Sequence, residues 1–209
     1  DVAEVIKKGQ NGLSSDKFEA TANESGALVI DVRHQSEFYE GHIPRSIFIG
    51  IDGSFAPWVG SLIKDINQPI LLVCDPARLE EVIIRLSRVG FDNVLGYLEG
   101  GFKLWKEAGK EVDSLKSITT EEFVTIRNSQ SIHVLDVRKV SEFQSEHVLD
   151  AENAPLAELN LHLDMLKEDE DNYIHCAGGY RSMIASSILK SRGIHNIIEV
   201  QGGFNSIKE

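Results

Sequence analysis

The chain has 209 residues, 42% of them hydrophobic and 26% charged, enough to build one large core or two modest ones. A net charge of −12 and an isoelectric point near 5.0 argue against a nucleic-acid partner, because a phosphate-backbone footprint needs a basic face. Two cysteines without a CxxC pair exclude a disulfide framework, the lack of a long apolar run or signal peptide argues against a membrane partner, and a reducing cytoplasm is the simplest expected compartment.

The chain opens on Asp1 and not on a methionine, which leads us to expect a region upstream of it. Residues 1–12, ending in Lys7-Lys8-Gly9-Gln10-Asn11-Gly12, are polar and turn-rich and read as a linker. Leu13-Ser14-Ser15-Asp16-Lys17-Phe18 places cap-type hydroxyls before a short helix, and Ile118-Thr119-Thr120-Glu121-Glu122-Phe123 repeats this with a capping box from Thr119 to Glu122, 105 residues later. The buried-strand runs Leu28-Val29-Ile30-Asp31-Val32-Arg33 and His133-Val134-Leu135-Asp136-Val137-Arg138 are again 105 residues apart. Each is followed by a Glu-Phe pair, Glu37-Phe38 and Glu142-Phe143. Further on, Ile70-Leu71-Leu72-Val73-Cys74 matches Tyr173-Ile174-His175-Cys176, Gly90 to Val94 matches Gly193 to Ile197, and Gly100-Gly101-Phe102 matches Gly202-Gly203-Phe204, at offsets of 102, 103 and 102.

A period of about 100 residues is a whole domain and not a solenoid unit, so the chain is a tandem duplication. Strand runs alternate with helical segments, such as Val82, Ile83, Leu86 and Val89 in the first copy and Ile184, Ala185, Ile188 and Leu189 in the second. That alternation predicts an α/β fold, each copy a mainly parallel sheet flanked by helices. The expected domains are 13–113 and 118–209, after the 1–12 linker.

Cys176 ends a strand run and precedes Ala177-Gly178-Gly179-Tyr180-Arg181-Ser182, a glycine-bearing loop that opens a helix. Backbone N–H groups converging on the sulfur, with Arg181 as cation, would favour a thiolate. A buried, inert cysteine is the competing reading of these residues alone.

Both copies resemble rhodanese domains. The first carries Asp31-Val32-Arg33 and Glu37-Phe38-Tyr39-Glu40-Gly41-His42-Ile43-Pro44, the second carries the loop Cys176 to Ser182, and both close on Gly-Gly-Phe. The tandem also resembles, more loosely, the C-terminal half of fusions that place a persulfide dioxygenase of the metallo-β-lactamase fold before a degenerate and then an active rhodanese domain. Ser54 to Gly60 and Val94 to Gly101 carry that likeness. The resemblance implies a possible dioxygenase partner fused upstream of Asp1. No clustered His and Asp ligands stand in this chain, so no metal and no cofactor is expected within it.

The two cysteines are not equivalent. In the first copy Arg78 follows Cys74 by four residues, the loop has lost a residue and contains no glycine, Asp75 would oppose a thiolate, and Pro76 removes an N–H. Cys74 is therefore expected to be structural and Cys176 catalytic, with Ala177 to Ser182 as the substrate loop. The resemblance implies attack of the Cys176 thiolate on the sulfane sulfur of a small anion, thiosulfate or a low-molecular-weight persulfide, and transfer through a Cys176 persulfide to a thiol or other nucleophile. Related phosphatases place their arginine six residues after the cysteine, whereas the interval here is five, which favours a sulfur substrate. A second class of function remains open at this point, a non-catalytic pair that binds or relays persulfide for a partner dioxygenase.

Asp136, Arg138 and Glu142 match the family's Asp-x-Arg and Glu positions, and the spacing of Arg138 and Glu142 predicts an (i, i+4) pair supporting the loop. Arg181 is divided between a bound anion and an internal carboxylate. His175 points away from the cysteine by strand alternation and reads as filler. His147 stands where the Gly-His-Ile-Pro element has lost its glycine and proline, so the rim there is expected to differ. Ile207 replaces Trp105, which predicts a shortened last helix.

Overall fold

Ile70-Leu71-Leu72-Val73 is apolar throughout and buried throughout, as a strand covered on both faces must be. It is the centre of the first of two units into which the chain divides, Asp1–Ser114 and Leu115–Glu209. The computed structural model describes residues 1–208; Glu209, the last residue of the expected second domain, lies outside the described residues.

The first unit runs α1 (Val2–Gly9), β1 (Gly12–Leu13), α2 (Ser15–Ser25), β2 (Leu28–Asp31), α3 (Gln35–Glu40), β3 (Ile47–Phe48), α4 (Phe55–Leu62), β4 (Ile70–Val73), α5 (Leu79–Arg88), β5 (Val94–Leu98) and α6 (Gly101–Glu107). The second runs β6 (Lys116–Ile118), α7 (Thr120–Ser129), β7 (His133–Asp136), α8 (Val140–Ser145), β8 (Glu152–Asn153), β9 (Asn172–His175), α9 (Tyr180–Ser191), β10 (Ile197–Val200) and α10 (Gly203–Ile207). Each unit is a five-stranded parallel sheet flanked by helices, of order β1-β5-β4-β2-β3 and β6-β10-β9-β7-β8, the α/β architecture expected from the alternation. The capping box of α7 is formed in both directions, Glu122 N–H donating to Thr119 Oγ1 at 3.1 Å and Thr119 N–H to Glu122 Oε2 at 3.0 Å.

Residues 1–12 are not a linker. The Asp1 side chain caps Ala3, and α1 packs on α5 and β5, so this stretch belongs to the first unit. Its Lys-rich face is solvated while Gly9 is buried, a division that the polar composition concealed. The last helix, α10, has five residues against seven in α6.

Parallel order puts the C-terminal ends of all strands in a unit on one edge, where ligands of open α/β sheets bind. Cys74 and Cys176 each sit one residue past the end of the central strand of their unit.

Candidate active site

Beyond β9 the backbone leaves the sheet at Cys176, passes through the loop and enters α9 at Tyr180. Gly179 holds φ at +113°, outside the range comfortable for a side chain, and its N–H donates to Cys176 Sγ at 3.0 Å. The cysteine is 1% exposed, with Ser182 Oγ 3.4 Å from its sulfur. Two N–H groups of the first turn of α10 hold the loop from below, Phe204 N–H donating to Cys176 O at 2.8 Å and Asn205 N–H to Ala177 O at 3.0 Å.

This hold explains the second glycine of Gly-Gly-Phe. Gly203 has φ +60°, and a Cβ there would stand 2.6 Å from Cys176 O and 2.7 Å from Ala177 O. The corresponding Gly101 has φ +65° with no atom within 4 Å of a built Cβ. Gly101→Ala is therefore expected to cost only the left-handed backbone penalty of about 1–2 kcal/mol. Gly203→Ala should cost more and displace the loop, measurable as a larger fall in thermal stability together with faster alkylation or oxidation of a less buried Cys176.

Arg181 turns to an internal carboxylate. Its Nη1 and Nη2 donate to Glu142 at 2.7 and 3.0 Å, tying the loop to α8. Lys139 N–H also donates to Glu142 at 3.0 Å. The Arg181 guanidinium, above all, holds the Glu142 carboxyl down at about 2. The pair contributes stability that is present above the ordinary carboxylate value and is lost only as pH falls through about 2, so it stays closed at neutral pH.

The expected Arg138–Glu142 pair is not formed. Arg138 instead grips Asp136 with Nε at 3.0 and 3.1 Å and Nη2 at 2.8 Å, and donates to Glu146 O at 2.8 Å. The buried carboxylate at the end of β7 is a better partner for a buried guanidinium than a half-exposed glutamate one helical turn on. Arg33 repeats this with Asp31 and Gly41 O in the first unit. Arg138 also lies 4.2 Å over the Phe204 ring, and the His175 ring is stacked with Phe204 at 6.2 Å. His175 is fully buried, its Nδ1–H donating to Cys176 O at 3.0 Å, and burial pushes its titration downward. It fills the core.

His147 keeps the rim despite the lost glycine and proline. Its ring stacks on Phe143 at 3.8 Å and Nδ1–H donates to Phe143 O at 2.7 Å, as His42 does on Phe38 at 3.9 and 2.9 Å. The difference is that His42 is buried and His147 exposed.

Sequence reasoning passed over one residue. Glu199, inside the strand β10, is buried and accepts from Ser182 at 2.6 Å, while its Oε2 has no partner. Burial pushes this carboxyl up to about 7, against the pull of Ser182. A glutamate within Ile197-Ile198-Glu199-Val200, a strand pattern covered on both faces, was the available signal. The folded unit holds a proton on Glu199 that the unfolded chain releases from about pH 4.5 upward. Stability should therefore fall by up to about 3 kcal/mol as pH rises from 4.5 to 7. Urea denaturation of Glu199→Gln should lack that fall.

The first unit keeps the Asp–Arg grip and the His–Phe stack, but its cysteine loop is built differently. Cys74 Sγ donates to Asp75 O at 3.2 Å, the chain turns directly into a 3-10 turn at Pro76–Arg78, and Arg78 is taken by Asp52 and Glu81. Burial, and then Asp75, push the Cys74 thiol up to about 12. A cavity of about 960 Å³ opens beside it, lined by Cys74, Arg78, Gly101 and Phe102 among others. Among the described residues no helix is long and apolar enough to cross a membrane, and no group of three or more His, Cys, Asp or Glu could hold a metal ion.

The family described as Rhodanese-like domain matches residues 14–108 and 119–209. The uncharacterized protein YqhL of Bacillus subtilis is 34% identical over 91 residues, covering 43% of this chain and 70% of that protein. The putative sulfur carrier protein YrkF of the same organism is 28% identical over 99 residues, covering 47% of this chain and 54% of that protein, so the match spans about half of YrkF. The thiosulfate sulfurtransferase GlpE of Pseudomonas savastanoi is 31% identical over 84 residues, covering 40% of this chain and 76% of that protein.

Proposed function

The chain belongs to the rhodanese-like domain family, and on that premise we propose that it is a sulfurtransferase whose second unit carries sulfane sulfur on Cys176 while the first is non-catalytic. The observation that supports this reading is the difference between the two loops. One aims the Gly179 N–H at a sulfur in a glycine loop anchored by Glu142 and α10, and the other offers a thiol displaced to about 12. The resemblance to GlpE and YrkF, by what those proteins are called, points the same way.

In the proposed reaction the Cys176 thiolate attacks the sulfane sulfur of thiosulfate or a low-molecular-weight persulfide. The donor's S–S bond breaks and its electron pair leaves with sulfite or a thiolate, giving a Cys176 persulfide. An acceptor thiolate then attacks the outer sulfur and releases the Cys176 thiolate. Charge on the sulfur is held by the Gly179 N–H in both states. Arg181, engaged by Glu142, serves by fixing the loop. An upstream persulfide dioxygenase partner is a proposal resting on the likeness of Ser54 to Gly60 and Val94 to Gly101 alone, and a cytoplasmic location rests on the cysteine usage.

The test is turnover with thiosulfate or glutathione persulfide plus a thiol acceptor, set against hydrolysis of an aryl phosphate. Sulfur transfer without phosphatase activity is expected. Phosphate release without sulfur transfer would overturn the reading.

A further inference from the structure

A buried carboxyl sits two hydrogen bonds from the reacting sulfur. Cys176 Sγ lies 3.4 Å from Ser182 Oγ, and Ser182 Oγ lies 2.6 Å from Glu199 Oε1. Ser182 Oγ also approaches Gly179 O at 3.2 Å, so one hydroxyl proton faces three possible acceptors. Both ends of this chain are sealed from solvent, with Cys176 and Ser182 buried and Glu199 5% exposed. Burying a carboxyl with one oxygen orphaned is unfavourable. One turn along α9 from Ser182, Ser186 Oγ is likewise buried without a partner.

The first unit provides the comparison. Counting from the arginine of each loop, Leu79 stands where Ser182 does. In the sheet register, Tyr97 lies opposite Leu72 as Glu199 lies opposite Ile174. The hydroxyl and the carboxyl are therefore both absent from the unit whose loop is degenerate and both present behind the glycine loop.

We propose that Glu199 is a positioning residue for sulfur transfer, receiving through Ser182 the proton that Cys176 loses when it becomes a thiolate and returning it when the thiol re-forms. In the resting arrangement Cys176 S–H donates to Ser182 Oγ and Ser182 O–H donates to the Glu199 carboxylate. In the reactive one the S–H and Ser182 O–H bonds have broken, new O–H bonds stand on Ser182 and Glu199, and the negative charge has moved from carboxylate to sulfur. No electron is transferred and no co-reactant is needed. Ser182 O–H then donates to the thiolate, joining the Gly179 N–H.

The groups facing Glu199 add no competing charge. Its register partners are Ser117 on β6 and Ile174 on β9, α9 presents the Ser182 hydroxyl, and the Cys176 thiol stands behind that hydroxyl. The loop's cation, Arg181, is held by Glu142. Burial keeps the carboxyl near 7, within reach of a proton from a thiol. Two coupled acids of this kind titrate as a pair in two steps.

The inference rests on Cys176 as the reacting sulfur but is tested without a sulfur donor, by the rate of Cys176 alkylation with iodoacetamide between about pH 5 and pH 9, read by mass spectrometry of its peptide. The wild-type chain should show two steps, the lower one near pH 7. Glu199→Gln should show one. Ser182→Ala should shrink the lower step by about tenfold or more, through loss of the hydroxyl that stabilises the thiolate form. If Glu199→Gln does not fold, Ser182→Ala decides alone. A single step in the wild-type chain, or two unchanged steps in the variants, overturns the proposal. Two steps in a protein that takes up no sulfur would leave the relay standing and remove the sulfurtransferase reading instead.

Discussion

Cys176→Ser is expected to abolish sulfur transfer, by about a thousandfold or more, because a serine hydroxyl forms neither a thiolate nor a persulfide. Cys74→Ser should leave the rate nearly intact. The Cys74 thiol, pushed up to about 12 by burial and Asp75, is thiolate in only about one molecule in ten thousand near pH 8, and no loop amide in the described hydrogen bonds is aimed at its sulfur. Sulfite release from thiosulfate, followed in both variants, checks this. Equal loss in the two would mean that sulfur passes through the first unit as well, and the division of labour between the units would fail.

The largest expected effect on stability is that of Asp136→Ala. Asp136 is fully buried at the end of β7 and accepts the Arg138 backbone N–H at 3.0 Å besides the guanidinium. Removing it leaves the buried Arg138 with Glu146 O and the Phe204 face as its partners. A buried charge stripped of its counter-ion costs about 3–5 kcal/mol, a large share of the stability of a unit this size. Phe204 also lends its N–H to Cys176 O, so the loop should loosen with it. Hydrogen exchange of the β7 and β9 amides should show the loss directly. A change below about 1 kcal/mol would show that Asp136 and Arg138 are only loosely paired in solution.

The duplication, the parallel sheets and the inequality of the two cysteines were legible in the sequence because each has a local signature. Buried strands read as apolar runs, and a missing loop residue shows as a changed interval between Cys and Arg. The partners of charged groups were harder. The (i, i+4) spacing of Arg138 and Glu142 was real, but the deeper carboxylate of Asp136, two residues back and fully buried, wins the guanidinium. Arg181 then takes Glu142 across 39 residues, a contact that depends on how α8 and α9 lie and that spacing cannot express. Gly203 was visible as part of Gly-Gly-Phe, yet its reason, the approach of the Cys176 and Ala177 carbonyls, exists only in three dimensions. The helix α1 was hidden by charge on its outer face. Glu199 was open to detection, as a charge set in a buried strand.

The central claim, that Cys176 and not Cys74 carries the transferred sulfur, is tested most directly by peptide mass spectrometry after brief exposure to thiosulfate and, separately, to glutathione persulfide. The account predicts that the peptide bearing Cys176 gains one sulfur atom, removable by a thiol acceptor, and that the peptide bearing Cys74 gains none. Added sulfur on Cys74, or none on Cys176 with either donor, would contradict it.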